Sequence, residues 1–162
     1  MDAIAHLLWT SIIFYGFPNR KTMLLFSILP DLLSWGFYAG YVLKRKLPIG
    51  KPNLRDIPRW AHTLYNVTHS IFTFIALSLI VWFITKRPPF IMLPWLLHLM
   101  LDIPTHSREY LATPFLWPLS SWVFPGVGWE SFKVMVINYI AIISLLAATL
   151  IMQQNLLLLF LP

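Results

Sequence analysis

The 162-residue chain is 58% hydrophobic and only 11% charged, a composition outside the soluble globular range and typical of an integral membrane protein. It has no cysteine, which excludes disulfides, iron–sulfur clusters and thiolate zinc sites and leaves His and carboxylates as candidate metal ligands. The formal net charge of +6 sits in short basic loops beside apolar runs, where it sets membrane orientation, so no nucleic-acid partner is expected.

In chain order, residues 3–17 form a short apolar segment ended by Gly16, Pro18 and the polar Asn19-Arg20-Lys21. Asp2 stands where a signal peptide would carry basic residues and no small-residue cleavage site follows, so this segment is expected to stay. Residues 22–43 are long enough to span, with Pro30-Asp31 in the middle. A basic, proline-containing link follows, with Pro48, Pro52 and Pro58. Residues 61–85 are the clearest span, stopped by Lys86-Arg87-Pro88-Pro89, and residues 90–103 predict a shorter helix. Residues 107–131, with Trp117, Trp122 and Trp129 among prolines, read as an aromatic interfacial segment. Residues 132–152 are the last span, and 156–162 form an apolar tail.

These features predict an all-α, polytopic helical bundle of about five apolar segments in a single membrane-embedded domain over residues 1–162. If all five cross, the link at 44–59, Arg108 and Lys133 share one side and carry eight basic residues against four on the other, which would make the first side cytoplasmic.

The most informative stretch is Leu97-His98-Leu99-Met100-Leu101-Asp102-Ile103-Pro104-Thr105-His106. An ionisable side chain in a membrane-length apolar run costs about 2.5–3.5 kcal/mol on insertion scales, so it faces a partner, a cavity or an ion. Helical steps of four residues align positions 98, 102 and 106 in one stripe, each about 6 Å further along. His98 and Asp102 can therefore share an ion, whereas His106 needs the helix to end or kink at Pro104. With five crossings, His6, His62, His69, His98, Asp102 and His106 all fall at one level of the bundle, and Asp31 reaches it if Pro30 breaks its helix.

Each residue also has a plain structural explanation. His6 lies one turn from Asp2 and can pair with it, and His62 at a span boundary needs no partner beyond solvent. His69 lies deeper, and Asp31 and the His98/Asp102 pair are the hardest to explain without an ion or a buried Asp–His pair.

The ordered set of His6, Leu29-Pro30-Asp31, Thr68-His69-Ser70, His98-Leu99-Met100-Leu101-Asp102 and Thr113-Pro114-Phe115-Leu116-Trp117-Pro118-Leu119-Ser120 resembles the LexA-regulated, metal-dependent hydrolases of the YdjM type, proteins of the prokaryotic inner membrane. Through the His-x-x-x-Asp pair that family is similar to the zinc-dependent phospholipase C and S1/P1 nuclease group. The resemblance implies His6, Asp31, His69, His98 and Asp102 as metal ligands, with Asp102 bridging if two ions bind. Tyr65-Asn66-Val67 stands where an arginine-glycine type pair is expected, and no His-x-x-x-Glu follows His106, so one or two ions are expected rather than three.

Imidazoles and carboxylates suit Zn²⁺, with Mn²⁺ or Fe²⁺ as alternatives. The expected function is hydrolysis of a phosphoester in a membrane lipid or lipid-linked substrate by metal-activated water. Asp31 and Asp102 are the candidate catalytic groups, and Arg108 and Lys133 the candidate phosphate-binding cations. A divalent-metal transporter or channel, and a non-enzymatic membrane scaffold, are the alternative classes.

Overall fold

The computed structural model describes residues 1–159, which form helices joined by loops and no strand; the end of the apolar tail, 160–162, lies outside the described residues. The helices are α1 (Ala3–Ile13), α2 (Arg20–Asp31), α3 (Phe37–Arg45), α4 (Arg59–Thr68), α5 (Ile71–Thr85), α6 (Leu93–Thr105) and α7 (Phe132–Leu159). A π-helical turn, Leu32–Gly36, joins α2 to α3.

Two stretches are long and apolar enough to cross a membrane, Arg20–Arg45 and Phe132–Met152, and a third exists if α4 and α5, bent by 60°, make one span. This corrects the five crossings expected from the sequence. The reason is length: the 11 residues of α1 and 13 of α6 rise only about 16 and 20 Å, short of a hydrocarbon core about 30 Å thick. With fewer crossings, the alternation of loops behind the charge count does not follow either.

The apolar side chains face both inward and outward. Inside, Phe74, Met92, Trp95 and Leu99 join α5 to α6, with Phe26, Leu29 and Leu33 packed against them from α2 and the π turn. A second cluster of Met1, Ala5 and Ile142 holds α1 to α7, reinforced by the Trp9 indole N–H donating to Asn138 Oδ1 at 2.8 Å. Outside, Leu79, Ile80, Phe83 and Ile84 of α5 and Ile137, Ile140 and Ile143 of α7 are exposed. Apolar outer faces around a polar interior suit a lipid surrounding.

Pro30 does not break its helix: it lies inside α2, and the chain widens into the π turn two residues later. Asp31 thus reaches the histidines from the end of an intact α2, without the break on which its reach depends in the sequence. Ser34 supports it by donating its hydroxyl to the Pro30 carbonyl at 2.8 Å.

The bend between α4 and α5 is built from the Thr68-His69-Ser70 triplet. His69 ends α4, and Ser70, in extended conformation, caps α5 by accepting from the Phe72 N–H at 3.1 Å. The orphan carbonyl of Thr68 accepts from the Trp95 indole at 3.0 Å, so α6 closes the end of α4.

The segment 107–131 is a strap rather than an isolated interfacial stretch. Phe115 O accepts from Ile71 N at 3.0 Å, Trp117 O from the Ser70 hydroxyl, and Leu111 O from the Tyr65 hydroxyl at 3.0 Å. Its far end covers the C-terminus of α6, where Val127 N donates to Pro104 O at 3.0 Å and Trp129 N to Thr105 O at 2.8 Å. The strap thus ties the α4–α5 bend to the end of α6.

Gly126 permits that approach, because a Cβ there would lie 2.5 Å from His106 O and 2.6 Å from Pro104 O. Gly126→Ala is expected to lower stability by about 1–3 kcal/mol, read as a lower melting midpoint in detergent. Gly40→Ala, on a helix with nothing within 4 Å of the added Cβ, is expected to leave the midpoint unchanged or raise it.

Candidate metal centre

Four side chains from three parts of the chain converge where α2, the α4–α5 bend and α6 meet. Asp31 comes from the end of α2, His69 from the bend, and His98 and Asp102 from one face of α6. One ligand atom from each lies within 4.8 Å of all the others, an arrangement that can hold a metal ion. The closest approaches are His98 Nε2 to His69 Nε2 at 3.2 Å and to Asp102 Oδ2 at 3.2 Å. His69 Nε2 lies 3.5 Å from both Asp102 Oδ2 and Asp31 Oδ1, and His98 Nε2 lies 3.9 Å from Asp31 Oδ1.

The outer nitrogens of both imidazoles are committed. His98 Nδ1 lies 2.7 Å from Ser27 O, and His69 Nδ1 lies 3.1 Å from Tyr65 O. A carbonyl can only accept, so each Nδ1 carries a proton and Nε2 is the nitrogen that each ring turns to the centre, where it can bind a cation by giving up its own proton. Thr68 agrees: its hydroxyl donates to Leu64 O at 2.9 Å, so at 3.0 Å from His69 Nδ1 it acts as acceptor. Backbone carbonyls holding the outer nitrogen while the inner one points at a cluster are the usual support of metal-ligating histidines.

The centre therefore brings two imidazole Nε2 atoms together with two carboxylates, the donor types that hold a divalent cation. His69, His98 and Asp102 are sealed, with side-chain exposures of 0–1%, whereas Asp31 is 21% exposed. The donor set fits Zn²⁺, Mn²⁺ or Fe²⁺, and Asp31, the least buried of the four, is the ligand through which water would reach a bound ion.

Asp102 turns its other oxygen the opposite way. Oδ1 meets His6 Nε2 at 3.1 Å, lies 3.6 Å from His106 Nδ1, and accepts from the N-terminal ammonium of Met1. His6 also stacks on His98, with ring centroids 3.8 Å apart. His6 and His106 thus join the site at the far oxygen of Asp102 rather than among the four converging atoms. His106 arrives there without a fold-back: α6 runs through Pro104 to Thr105, and His106 follows in extended conformation with Nδ1 3.1 Å from Asp102 O. Asp2 does not pair with His6; it caps α1 at Ala5 N and accepts from the Tyr139 hydroxyl at 2.9 Å.

Of the other residues singled out in the sequence, His62 lies away from the centre with Nε2 3.2 Å from Leu54 O, so the level shared by all five histidines is corrected to four. Its cause is the bend, which turns His69 inward while His62, two turns earlier, stays beside the basic link. Arg108 donates to Val123 O at 3.0 Å within the strap, and Lys133 sits in the first turn of α7.

A cavity of about 530 Å³ reaches the centre at Asp31 and His106 and is walled by Trp35, Tyr38, Tyr110 and Trp129. Neither Arg108 nor Lys133 lines it; the cation that does is Lys51, from the basic link. Lys51 Nζ donates to Glu130 Oε1 at 2.8 Å and stands 3.9 Å above the Tyr110 ring. That hydrogen bond holds the Glu130 carboxyl below the usual carboxylate range and raises the Lys51 ammonium. Sequence reasoning passed over Lys51 and Glu130, which are separated by 79 positions and stand out by no local pattern.

Comparison with family models, with curated proteins and with solved structures finds no match for this chain, so its function is argued from the site itself.

If the centre holds an ion, purified wild type loaded with zinc and desalted is expected to retain it near stoichiometry by plasma mass spectrometry. His98→Ala and Asp102→Ala should each weaken retention by at least about tenfold, and His62→Ala should not change it.

Proposed function

We propose that this protein is a membrane-embedded, metal-dependent hydrolase acting on a phosphoester of a lipid or lipid-linked substrate. The observation that carries the reading is the convergence of two imidazole Nε2 atoms and two carboxylates, with both Nδ1 protons held by backbone carbonyls, beside a cavity that reaches Asp31. Asp31, His69, His98 and Asp102 would hold the ion, with His6 and His106 supporting Asp102 from its far oxygen. A divalent ion bound there lowers the pKa of water toward neutrality and offsets charge on a phosphoryl group.

The chain's own residues supply the remainder. Asp31 is the one ligand that also lines the cavity, so its carboxylate is placed to take a proton from an entering water. Hydrolysis forms a bond from the water oxygen to phosphorus and breaks the ester bond, the proton passing through Asp31 to the departing oxygen. Asp102, sealed and held at Oδ1 by His6 and the Met1 ammonium, turns Oδ2 to the centre and does not line the cavity.

A lipid substrate is favoured by the setting. The outer faces of α5 and α7 are apolar and exposed, so the cavity belongs to a body surrounded by acyl chains. The ordered motifs that resemble the YdjM-type hydrolases point the same way, and in the fold they meet: Thr68-His69-Ser70 is bonded to the 113–120 stretch through Ile71–Phe115 and Ser70–Trp117.

The test is turnover of a panel of phosphatidic acid, phosphatidylglycerol and polyprenyl phosphates by zinc-loaded protein in detergent micelles. Wild type is expected to hydrolyse at least one member, chelation to abolish turnover, and Asp31→Asn to lower kcat by about 10²-fold or more. Equal turnover by wild type and His98→Ala would remove the basis of the assignment.

A further inference from the structure

The centre has a charge balance that leaves an anionic substrate without an attractor. Two carboxylates balance one divalent ion bound through deprotonated Nε2 atoms, and the Met1 ammonium beside them is committed to Asp102 Oδ1. The walls of the cavity are mainly aromatic, and its volume of about 530 Å³ is within the range of small-molecule sites. Besides the Met1 ammonium, which Asp102 engages, its lining carries one lysine, Lys51, and that side chain is already engaged by a carboxylate from the same rim, Glu130.

The pair is placed at the mouth by its surroundings. Lys51 stands over the Tyr110 ring at 3.9 Å, and the Tyr110 hydroxyl donates to Pro52 O at 3.0 Å, which fixes the link carrying Lys51 against the strap. Glu130 follows Trp129, whose N–H is bonded to the end of α6 at Thr105. Both side chains remain about half exposed, at 55% and 44%, so either can be replaced in the pair by a ligand from outside. An exposed ion pair of this kind contributes little to stability and is readily exchanged.

We propose that the cavity receives an anionic phosphate headgroup, with Lys51 as its anion-binding residue and Glu130 as an internal competitor that occupies Lys51 until the headgroup arrives. The inference rests on the hydrolase reading above and adds to it the group that recognises the substrate's charge. It assigns to Lys51 the role the sequence suggested for Arg108 or Lys133.

The competitor gives the proposal a direction that a structural ion pair lacks. Removing Lys51 weakens phosphate binding, whereas neutralising Glu130 frees Lys51 and strengthens it. If the pair only held the link to the strap, both changes would loosen the same contact and act in the same direction.

The experiment titrates zinc-loaded, detergent-purified full chain by tryptophan fluorescence, since Trp35 and Trp129 line the cavity. The probes are inorganic phosphate and short-chain dioctanoyl phosphatidic acid, with dioctanoylglycerol as the uncharged control. Lys51→Ala is expected to weaken the Kd for both phosphate probes by about tenfold or more, and Lys51→Arg to retain most of the affinity. Glu130→Gln is expected to tighten binding by about threefold or more, and Lys86→Ala, on the outer end of α5, to change nothing. Tighter binding of phosphatidic acid than of phosphate identifies a lipid headgroup as the source of the anion; equal binding identifies a free phosphate ester. Zinc content measured on every variant reports an intact centre.

Zinc-loaded wild type that binds neither probe overturns the proposal while leaving the metal reading in place. So does a pair of variants, Lys51→Ala and Glu130→Gln, that shift affinity the same way or not at all. Wild type that retains no zinc removes the hydrolase reading and this inference with it.

Discussion

The structure depends on four cation-binding side chains held together in an apolar interior. One ligand atom each from Asp31, His69, His98 and Asp102 lies within 4.8 Å of the others, with five of the contacts at 3.2–3.9 Å. Two carboxylates in a low-dielectric setting repel unless a positive group, an imidazole proton or a cation, stands between them. The imidazoles cannot turn away, because His98 Nδ1 is held by Ser27 O of α2 and His69 Nδ1 by Tyr65 O in the last turn of α4. A cation bound between them would link α2, the α4–α5 bend and α6 directly.

That constraint explains the irregularities around it. The π turn after Pro30, the bend at His69-Ser70 and the end of α6 at Thr105 all lie within a few residues of a ligand. A straight α4–α5 helix would carry His69 along the same axis as His62, whereas the 60° bend turns it toward α6. Breaking a helix in an apolar setting exposes orphan N–H and C=O groups, which must be satisfied by protein. Ser70, the Trp95 indole and the Phe115–Trp117 carbonyls do this, so the strap and the cap belong to the architecture of the centre as much as the ligands do.

The legible part of the site was the part written in local spacing. His98 and Asp102, four apart on an apolar helix, announce themselves because an ionisable pair there has no bland environment, and Asp31 and His69 follow by the same argument. The number of membrane crossings was not legible, since a hydropathic run does not reveal whether its helix is 11 residues or 20. Pro30 misled because proline's usual effect is a break, and a π turn two residues on is a tertiary accommodation that leaves no sequence mark. The backbone carbonyls that fix the imidazole tautomers were also invisible, because a carbonyl is present at every residue and only the fold selects Ser27 and Tyr65. Lys51 and Glu130 failed for a different reason: a lysine in a basic link and a glutamate beside a tryptophan look like solvated surface until the strap closes over the link.

Charge neutrality connects the centre to its cavity. A divalent ion with two carboxylates and two neutral imidazoles forms a unit with no net charge, the form in which a polar cluster is least costly to bury among apolar helices. The same neutrality limits what the unit can do at a distance, because it exerts little pull on an approaching anion. Recognition of charge must then come from a cation outside the sealed zone, where hydration is retained and the group can exchange partners. Lys51 is a cation so placed, and in the proposed hydrolase its position at the rim would separate two requirements that conflict at one point: a dry, neutral centre for reaction and a wet, positive edge for capture.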